Sequence, residues 1–287
     1  MKTAIAIVFD TNYVEKAAIF LDSLSENYHG SDRLDITCVV PPHEPECFSE
    51  LESLVSLTPR LNLVKVIYPK DISEWISGAV KQRFSWVPSM TWYRLFLGTV
   101  LADYDKVIYF DVDALVVDNI QPILDYEMHS PFMAAVDVTG FEIMFLKSRG
   151  ELPRLHAGTL IADLNWWRES GIEAEFREAM NEWDSTLGSD EDLLNRNKTI
   201  RANWTLIPFT FNFLFFTRDA HGIPDFDSSD SLPLYYKHAI MIHFASQIKP
   251  WNYESIVGKP DESRVGTEWR RRESIILSRR KEKPLQK

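Results

Sequence analysis

Cysteine is scarce in this chain of 287 residues: it holds two, Cys38 and Cys47. Two thiols do not make a disulfide framework, so the core must carry the fold, and reduced thiols in the cytoplasm are expected. Glycine is scarce as well, 11 residues, none clustered after the first apolar run. A glycine-rich phosphate loop is therefore missing, which weighs against a nucleotidyltransferase built around one. No apolar run is long enough to span a bilayer. Positive charge is in deficit, 31 Lys and Arg against 42 Asp and Glu, and the net charge of −11 argues against general nucleic-acid binding. No internal repeat or low-complexity linker interrupts the chain, and its length suits one continuous α/β domain. The opening Met1 to Phe9 is apolar, but Asp10 comes too early for a secretory leader and no small-residue cleavage site follows, so a first strand is expected. The sequons at Asn197 and Asn203 then carry little weight.

What is present is a rhythm of strands and helices. Apolar runs predict strands over Thr3 to Phe9, Leu34 to Val40, Leu61 to Ile67, Val107 to Phe110, Phe132 to Val136, Gly158 to Leu164 and Ala239 to Phe244. Helical periodicity predicts Tyr13 to Leu24, Pro45 to Leu57, Met90 to Ala102, and a long helix from Asp163 or Asn165 through Met180 that buries Trp166 and Ile172. Asp10 or Asn12 is placed to cap the first helix, and Ser189 to cap a short one over Asp190 to Asn195. Thr205 to Phe215 is aromatic-rich and reads as irregular. Alternating strands and helices imply a mostly parallel sheet flanked by helices, a single Rossmann-like domain with its site at the carboxyl ends of the strands.

The strand Val107 to Phe110 runs into Asp111-Val112-Asp113. In an extended chain, residues i and i+2 point to one side, so both carboxylates can face a single point. Two clustered carboxylates suit a hard cation such as Mg²⁺ or Mn²⁺; the plain alternative is one acid capping the turn and the other solvated. His243 ends the last strand, and an imidazole beside carboxylates suits Mn²⁺; a hydrogen-bonded structural histidine is the alternative. Beyond it, Ser246 to Ile248 offer backbone N–H groups and Lys249 an ammonium to a phosphate. Of the tryptophans, Trp251 and Trp86, in the segment Lys81 to Ser89, are candidates to line a site; Trp92, Trp166, Trp167 and Trp204 read as core. From Arg264 to Lys287 the net charge is +6, leaving −17 on the preceding chain. With Trp269 and Ile275-Ile276-Leu277 among its arginines, this tail can rest on an anionic membrane face or dock on the acidic body.

Taken together, Asp10-x-Asn12-Tyr13, Tyr93-Arg94-Leu95, Phe110-Asp111-Val112-Asp113, Ala157-Gly158-Thr159-Leu160 ahead of Leu164-x-x-Trp167-Arg168, and His243-Phe244-x-x-x-x-Lys249-Pro250-Trp251 occur in the order found in the family 8 glycosyltransferases. That family includes bacterial lipopolysaccharide galactosyl- and glucosyltransferases and, more distantly, glycogenin. The resemblance runs from about Ala4 to Trp251 and divides the chain into a transferase domain, 1–258, and a basic, partly amphipathic tail, 259–287. It implies a GT-A fold, a UDP-sugar donor and Mn²⁺, with Mg²⁺ as a substitute. It implies that Asp111, Asp113 and His243 hold the metal. Asp10, Asn12 and Tyr13 would line the uridine pocket with Val8 at its edge, Val112 would join the nucleotide contacts, and Ser246, Lys249 and Trp251 would wrap the diphosphate. Arg94 and Asp137 would lie near the donor sugar, together with Asp190, Glu191 and His156.

Two positions depart from the family pattern. Glu191 in Asp190-Glu191-Asp192-Leu193-Leu194-Asn195 stands where the family often has glutamine. A carboxylate there can stabilise or attack a cationic sugar, or simply bind a sugar hydroxyl as the amide would. His156 stands where asparagine is usual, which leaves the donor sugar open. The expected activity is a retaining, metal-dependent transfer of a hexose, glucose or galactose, to a glycan such as lipopolysaccharide or another surface polysaccharide. The expected location is the cytoplasm, with the tail able to touch the inner membrane face. A non-catalytic nucleotide-sugar or glycan-binding module and a self-glucosylating, glycogenin-like transferase are the competing readings.

Overall fold

The computed structural model of the chain describes residues 1–56, 58, 60–83, 89–136, 153–182, 189–214, 238–245, 249–257 and 264–282. Strand β1 (Thr3–Val8) leads through a 3-10 turn to helix α1 (Val14–Glu26); β2 (Leu34–Val40), α2 (Glu46–Val55), β3 (Leu61–Ile67) and α3 (Lys70–Arg83) follow. Then come α4 (Ser89–Tyr93), α5 (Leu97–Val100), β4 (Lys106–Phe110), β5 (Ala114–Val116), α6 (Gln121–Leu124), β6 (Phe132–Val136) and β7 (Leu155–Asp163). The remainder is α7 (Leu164–Glu169), α8 (Ile172–Asn181), α9 (Asp190–Arg196), α10 (Lys198–Asn203), β8 (Trp204–Leu206), β9 (Phe213–Leu214), β10 (Met241–His243), α11 (Tyr253–Val257) and α12 (Arg264–Glu282).

Seven strands form the main sheet in the order β3-β2-β1-β4-β7-β6-β8. The expected mostly parallel sheet is present, with β7 alone reversed, antiparallel to both β4 and β6. Its apolar pattern does not encode direction, because side chains alternate identically whichever way a strand runs. Alternation along the strands feeds two cores. Ile5, Ile7, Ile108 and Phe110 pack on one face with α1 and α2. Ala4, Ala6, Val107 and Tyr109 pack on the other with the aromatic residues Trp92, Phe96 and Trp167.

Two helical expectations are refined. The stretch from Met90 to Ala102 is not one helix: a 3-10 turn over Arg94–Phe96 separates α4 from α5. There the Arg94 side chain reaches back, its Nε donating to the Thr91 carbonyl at 3.0 Å. The helix expected through Met180 breaks between α7 and α8 at Gly171, whose φ of 73° lies in the left-handed region. Asp163 caps α7 by accepting from the N–H of Asn165 and Trp166, and Trp167 rather than Trp166 is the fully buried indole, packed against Phe132 of β6. Ser189 caps α9 as its position predicts, accepting from Asp192 N. The stretch read as irregular holds β8, a 3-10 turn over Phe209–Phe211, and β9.

A second, three-stranded sheet orders β5-β10-β9, with β10 antiparallel to β5 and parallel to β9. The chain leaves the main sheet at Phe110 and enters this one at Ala114, so both aspartates sit in the crossing. The register sets His243 opposite Ala114, next to Asp113.

The basic terminal segment forms α12, and one face of it docks on the body. Arg272 pairs with Asp22 at 2.8 Å and with Glu26, Arg279 with Asp22 at 3.0 Å, and Arg280 with Glu15 and Glu50. Trp269 is fully buried, edge-on to Phe244 just beyond β10 and 5.0 Å from Trp251. No helix among the described residues is long and apolar enough to cross a membrane.

Candidate active site

Residues at the carboxyl ends of β1 and β4 open onto one cleft. Val8, Tyr13, Arg94, Asp111, Val112 and Asp113 line it, joined by Met90, Thr91 and Tyr109. Asp10 and Asn12 occupy the turn beside it, where Asp10 accepts from the Asn12 backbone at 2.9 Å and caps the 3-10 turn. Burial raises the Asp10 carboxyl above its ordinary range. Burial, then the charges of Asp113, Asp10 and Asp111, push the Tyr13 hydroxyl up to about 12, so it stays a donor at neutral pH.

The two acids and the distant histidine meet. One ligand atom from each of Asp111, Asp113 and His243 lies within 4.8 Å of the others. His243 Nε2 stands 3.0 Å from Asp113 Oδ1 and 3.8 Å from Asp111 Oδ2. Lys249 Nζ lies 2.7 Å from Asp113 Oδ2 and also donates to the Phe244 carbonyl. Burial alone would raise the Asp113 carboxyl, but Lys249 and His243 outweigh it and hold it well below the usual carboxylate range.

Asp111 is held from the opposite side. The Tyr109 hydroxyl donates to Oδ1, and Arg94 Nη1 lies 2.9 Å from Oδ2. Arg94 is itself buried, and its Nε lies 2.9 Å from Asp190 Oδ2 on α9. Burial disfavours its charge, yet Asp111 and the neighbouring acid more than restore it, so the guanidinium is held above its ordinary value. Asp190 moves the other way: burial, with Asp111 adding to it against Arg94, raises its carboxyl to about 6.

The floor between these acids is an irregularity in β7. Pairing with β6 moves from Ala134↔Leu160 to Ala135↔His156, so Ala157, Gly158 and Thr159 have no partner on that edge. Such interruptions re-aim groups at functional sites. Here they free two N–H groups: Ala157 N donates to Glu191 Oε2 at 3.1 Å and Gly158 N to His156 Nδ1 at 3.1 Å. On the other edge the Gly158 carbonyl still accepts from Asp111 N. A Cβ on Gly158 would lie 2.2 Å from His243 Nδ1, so only glycine fits against that ring. Asn195 clips α9 to this floor by bonding both the N–H and the carbonyl of Leu155. Glu191 is also 3.8 Å from His156 Nε2 and from Arg154 Nη2, and Arg154 pairs with Asp192 at 2.8 Å.

Trp251 packs on Trp269 and is half-buried, with Lys249 Nζ 5.9 Å from its ring centre. Asp137, Ser246 and Trp86 lie outside the described residues. Sequence reasoning missed Tyr109, Asn212 and Asn195. Tyr109 stands two residues before Asp111 and so on the same side of the strand. Asn212 is the amide within the aromatic run Phe209 to Phe215, a polar residue in an apolar stretch that asks for a buried partner.

The profile of glycosyl transferase family 8 matches residues 4–255. Among relatives in sequence, the glycosyltransferase GlyF of Streptococcus pneumoniae is 25% identical over 166 residues, covering 57% of this chain and 38% of GlyF. The probable galacturonosyltransferase-like 4 of Arabidopsis thaliana is 23% identical over 274 residues, covering 86% of this chain and 72% of that protein. The chain thus spans well under half the length of its streptococcal relatives, 38% of GlyF and 21% of GlyA. Among solved structures, the galactosyltransferase LgtC with donor and acceptor sugar analogues aligns with a TM-score of 0.64 at 19% identity, covering 96% of this chain and 95% of LgtC. An active-site mutant of LgtC aligns at 0.66. The architecture is the GT-A fold.

Proposed function

The chain belongs to glycosyl transferase family 8, and from that premise we propose that it transfers a hexose, glucose or galactose, from a UDP-sugar to a glycan with retention of anomeric configuration. Lipopolysaccharide or another surface polysaccharide is the acceptor class. The observation that carries this reading is the convergence of Asp111, Asp113 and His243 at the mouth of the cleft beside Lys249. Two carboxylates and one imidazole fit Mn²⁺, and Mg²⁺ less well. A divalent ion held there supplies positive charge to the leaving diphosphate.

The chain's own groups do the rest. Val8, Tyr13 and the turn at Asp10 and Asn12 take the uridine, and Val112 closes one wall. Lys249, with Ser246 and Trp251 on the same connection, neutralises the diphosphate as its bond to the sugar breaks. Arg94, Asp137 and Asp190 hold sugar hydroxyls. Glu191, fixed by the Ala157 N–H, presents a carboxylate to the cationic sugar carbon. His156 stands beside it and sets which hexose is accepted.

The test is a panel of UDP-sugars incubated with Mn²⁺ or with EDTA, with slow donor hydrolysis as the readout. One sugar should turn over with Mn²⁺ and none with EDTA. Tight binding of a donor without turnover of any would replace the transferase reading with a binding module.

A further inference from the structure

His243 reaches a metal with only one of its ring nitrogens, and which one is free depends on where its proton sits. The hydrogen-bond partners assign that proton. At His156, Nδ1 faces the Gly158 N–H at 3.1 Å. A nitrogen that accepts from a backbone N–H carries no proton, so His156 is the tautomer protonated on Nε2. The same Nδ1 lies 3.0 Å from the Asn212 side chain, so Asn212 must present its NH₂ there. The opposite end of that amide, Oδ1, then faces His243 Nδ1 at 3.1 Å. A carbonyl oxygen only accepts, so His243 carries a proton on Nδ1; its Nε2 is the nitrogen turned toward Asp111 and Asp113, and the proton through which it bonds Asp113 Oδ1 at 3.0 Å is the one a metal would displace.

We propose that Asn212 is a positioning residue: oriented by His156, its amide locks His243 in the tautomer whose Nε2 is the metal donor. The inference rests on the metal reading above. Several features make the amide hard to turn over. Asn212 is buried, both rings it joins are buried, and they stand edge to face with centres 4.9 Å apart. A flipped amide would set its oxygen against the bare His156 Nδ1 and its NH₂ against the His243 N–H, breaking both bonds together. The histidine at position 156 thus acts on the metal site without touching a metal-facing atom, and a polar line runs from Glu191 through His156 and Asn212 to His243.

Two measurements on the full chain, without donor, test this. Long-range proton–nitrogen spectra of protein labelled with ¹⁵N-histidine, with rings assigned by single substitution, should show His243 protonated on Nδ1 and His156 on Nε2 alone. A bare Nδ1 on His243 overturns the proposal. Calorimetric titration with Mn²⁺ supplies the second readout. Asn212→Leu should weaken binding about 10- to 100-fold, the loss typical when a ligand's outer partner is removed, whereas Asn212→Asp, which keeps an acceptor for the His243 proton but sets its second oxygen against His156 Nδ1, should recover part of that loss. Equal binding by Asn212→Leu, or equal loss in both variants, refutes the lock. The spectra need no variant at Asn212, so a leucine variant that fails to fold leaves that arm decisive. His243→Ala should abolish Mn²⁺ binding; if it binds as wild type does, the metal reading fails, and the spectra still decide the tautomers.

Discussion

Glu191 and Asp190 are sequence neighbours with opposite environments. Glu191 is anchored by a backbone N–H beside His156, whereas Asp190 is buried against Arg94. Replacing Glu191 by glutamine keeps size and hydrogen bonding and removes only charge. If the carboxylate faces a cationic sugar carbon, Glu191→Gln should lower kcat by roughly 10- to 100-fold with KM for the donor little changed, the pattern of an interaction made in the transition state. Near-full turnover would leave Glu191 as a hydroxyl acceptor. Asp190 predicts a pH effect on stability. Its folded pKa of about 6 lies above the unfolded value of about 3.9, so the native state binds the proton more tightly. That contribution is fully present below about pH 4 and is lost as pH rises through about 6, on the order of 3 kcal/mol for a shift of about two units. Asp190→Asn should therefore gain on the wild type between pH 4.5 and 7 in paired urea melts; a constant difference would count against a raised pKa.

Among the elements, the break between α7 and α8 turns the chain around Gly171. Space for a Cβ is open there, so the conformation alone sets the cost of a side chain. Gly171→Ala should destabilise by roughly 1–2 kcal/mol, the penalty of a left-handed residue, seen as a lower Tm with Mn²⁺ affinity unchanged. The neighbouring α9 shows how a short helix is aimed. Ser189 caps its first turn and Asn195 ties its last turn to Leu155, which points Glu191 into the gap left by the β7 irregularity. The Ser189 cap was legible, because serine followed by three acids and an apolar pair marks a helix start, whereas the Asn195 tie to Leu155 was not. The irregularity was not: Leu155 to Asp163 reads as an unbroken buried strand, and only its pairing with β6 reveals three unpaired residues.

At the scale of the whole molecule, α12 closes the structure by laying Trp269 between α1 and the segment after His243. Trp269→Ala should cost about 3–5 kcal/mol, as for other fully buried aromatics, and it removes the surface on which Phe244 and Trp251 rest. A fall in Tm accompanied by weaker Mn²⁺ binding is the expected pair; a wild-type Tm would show that the helix does not dock. The tail's positive charge is partly matched within the protein, since Arg272, Arg279 and Arg280 face acids of α1 and α2. Composition alone left docking and a membrane face open, because both use the same basic, partly apolar helix.

The sequence by itself determined the strand and helix rhythm, the two faces of the sheet, and the acid pair at the end of β4, since each follows from local spacing and side-chain alternation. Only the tertiary structure decided that β7 runs backwards, that His243 enters beside Asp113 through the register of β10 against β5, and that Asn212 stands between two histidines. Those facts are pairings between residues far apart along the chain, and their energies exist only once the chain has closed on itself.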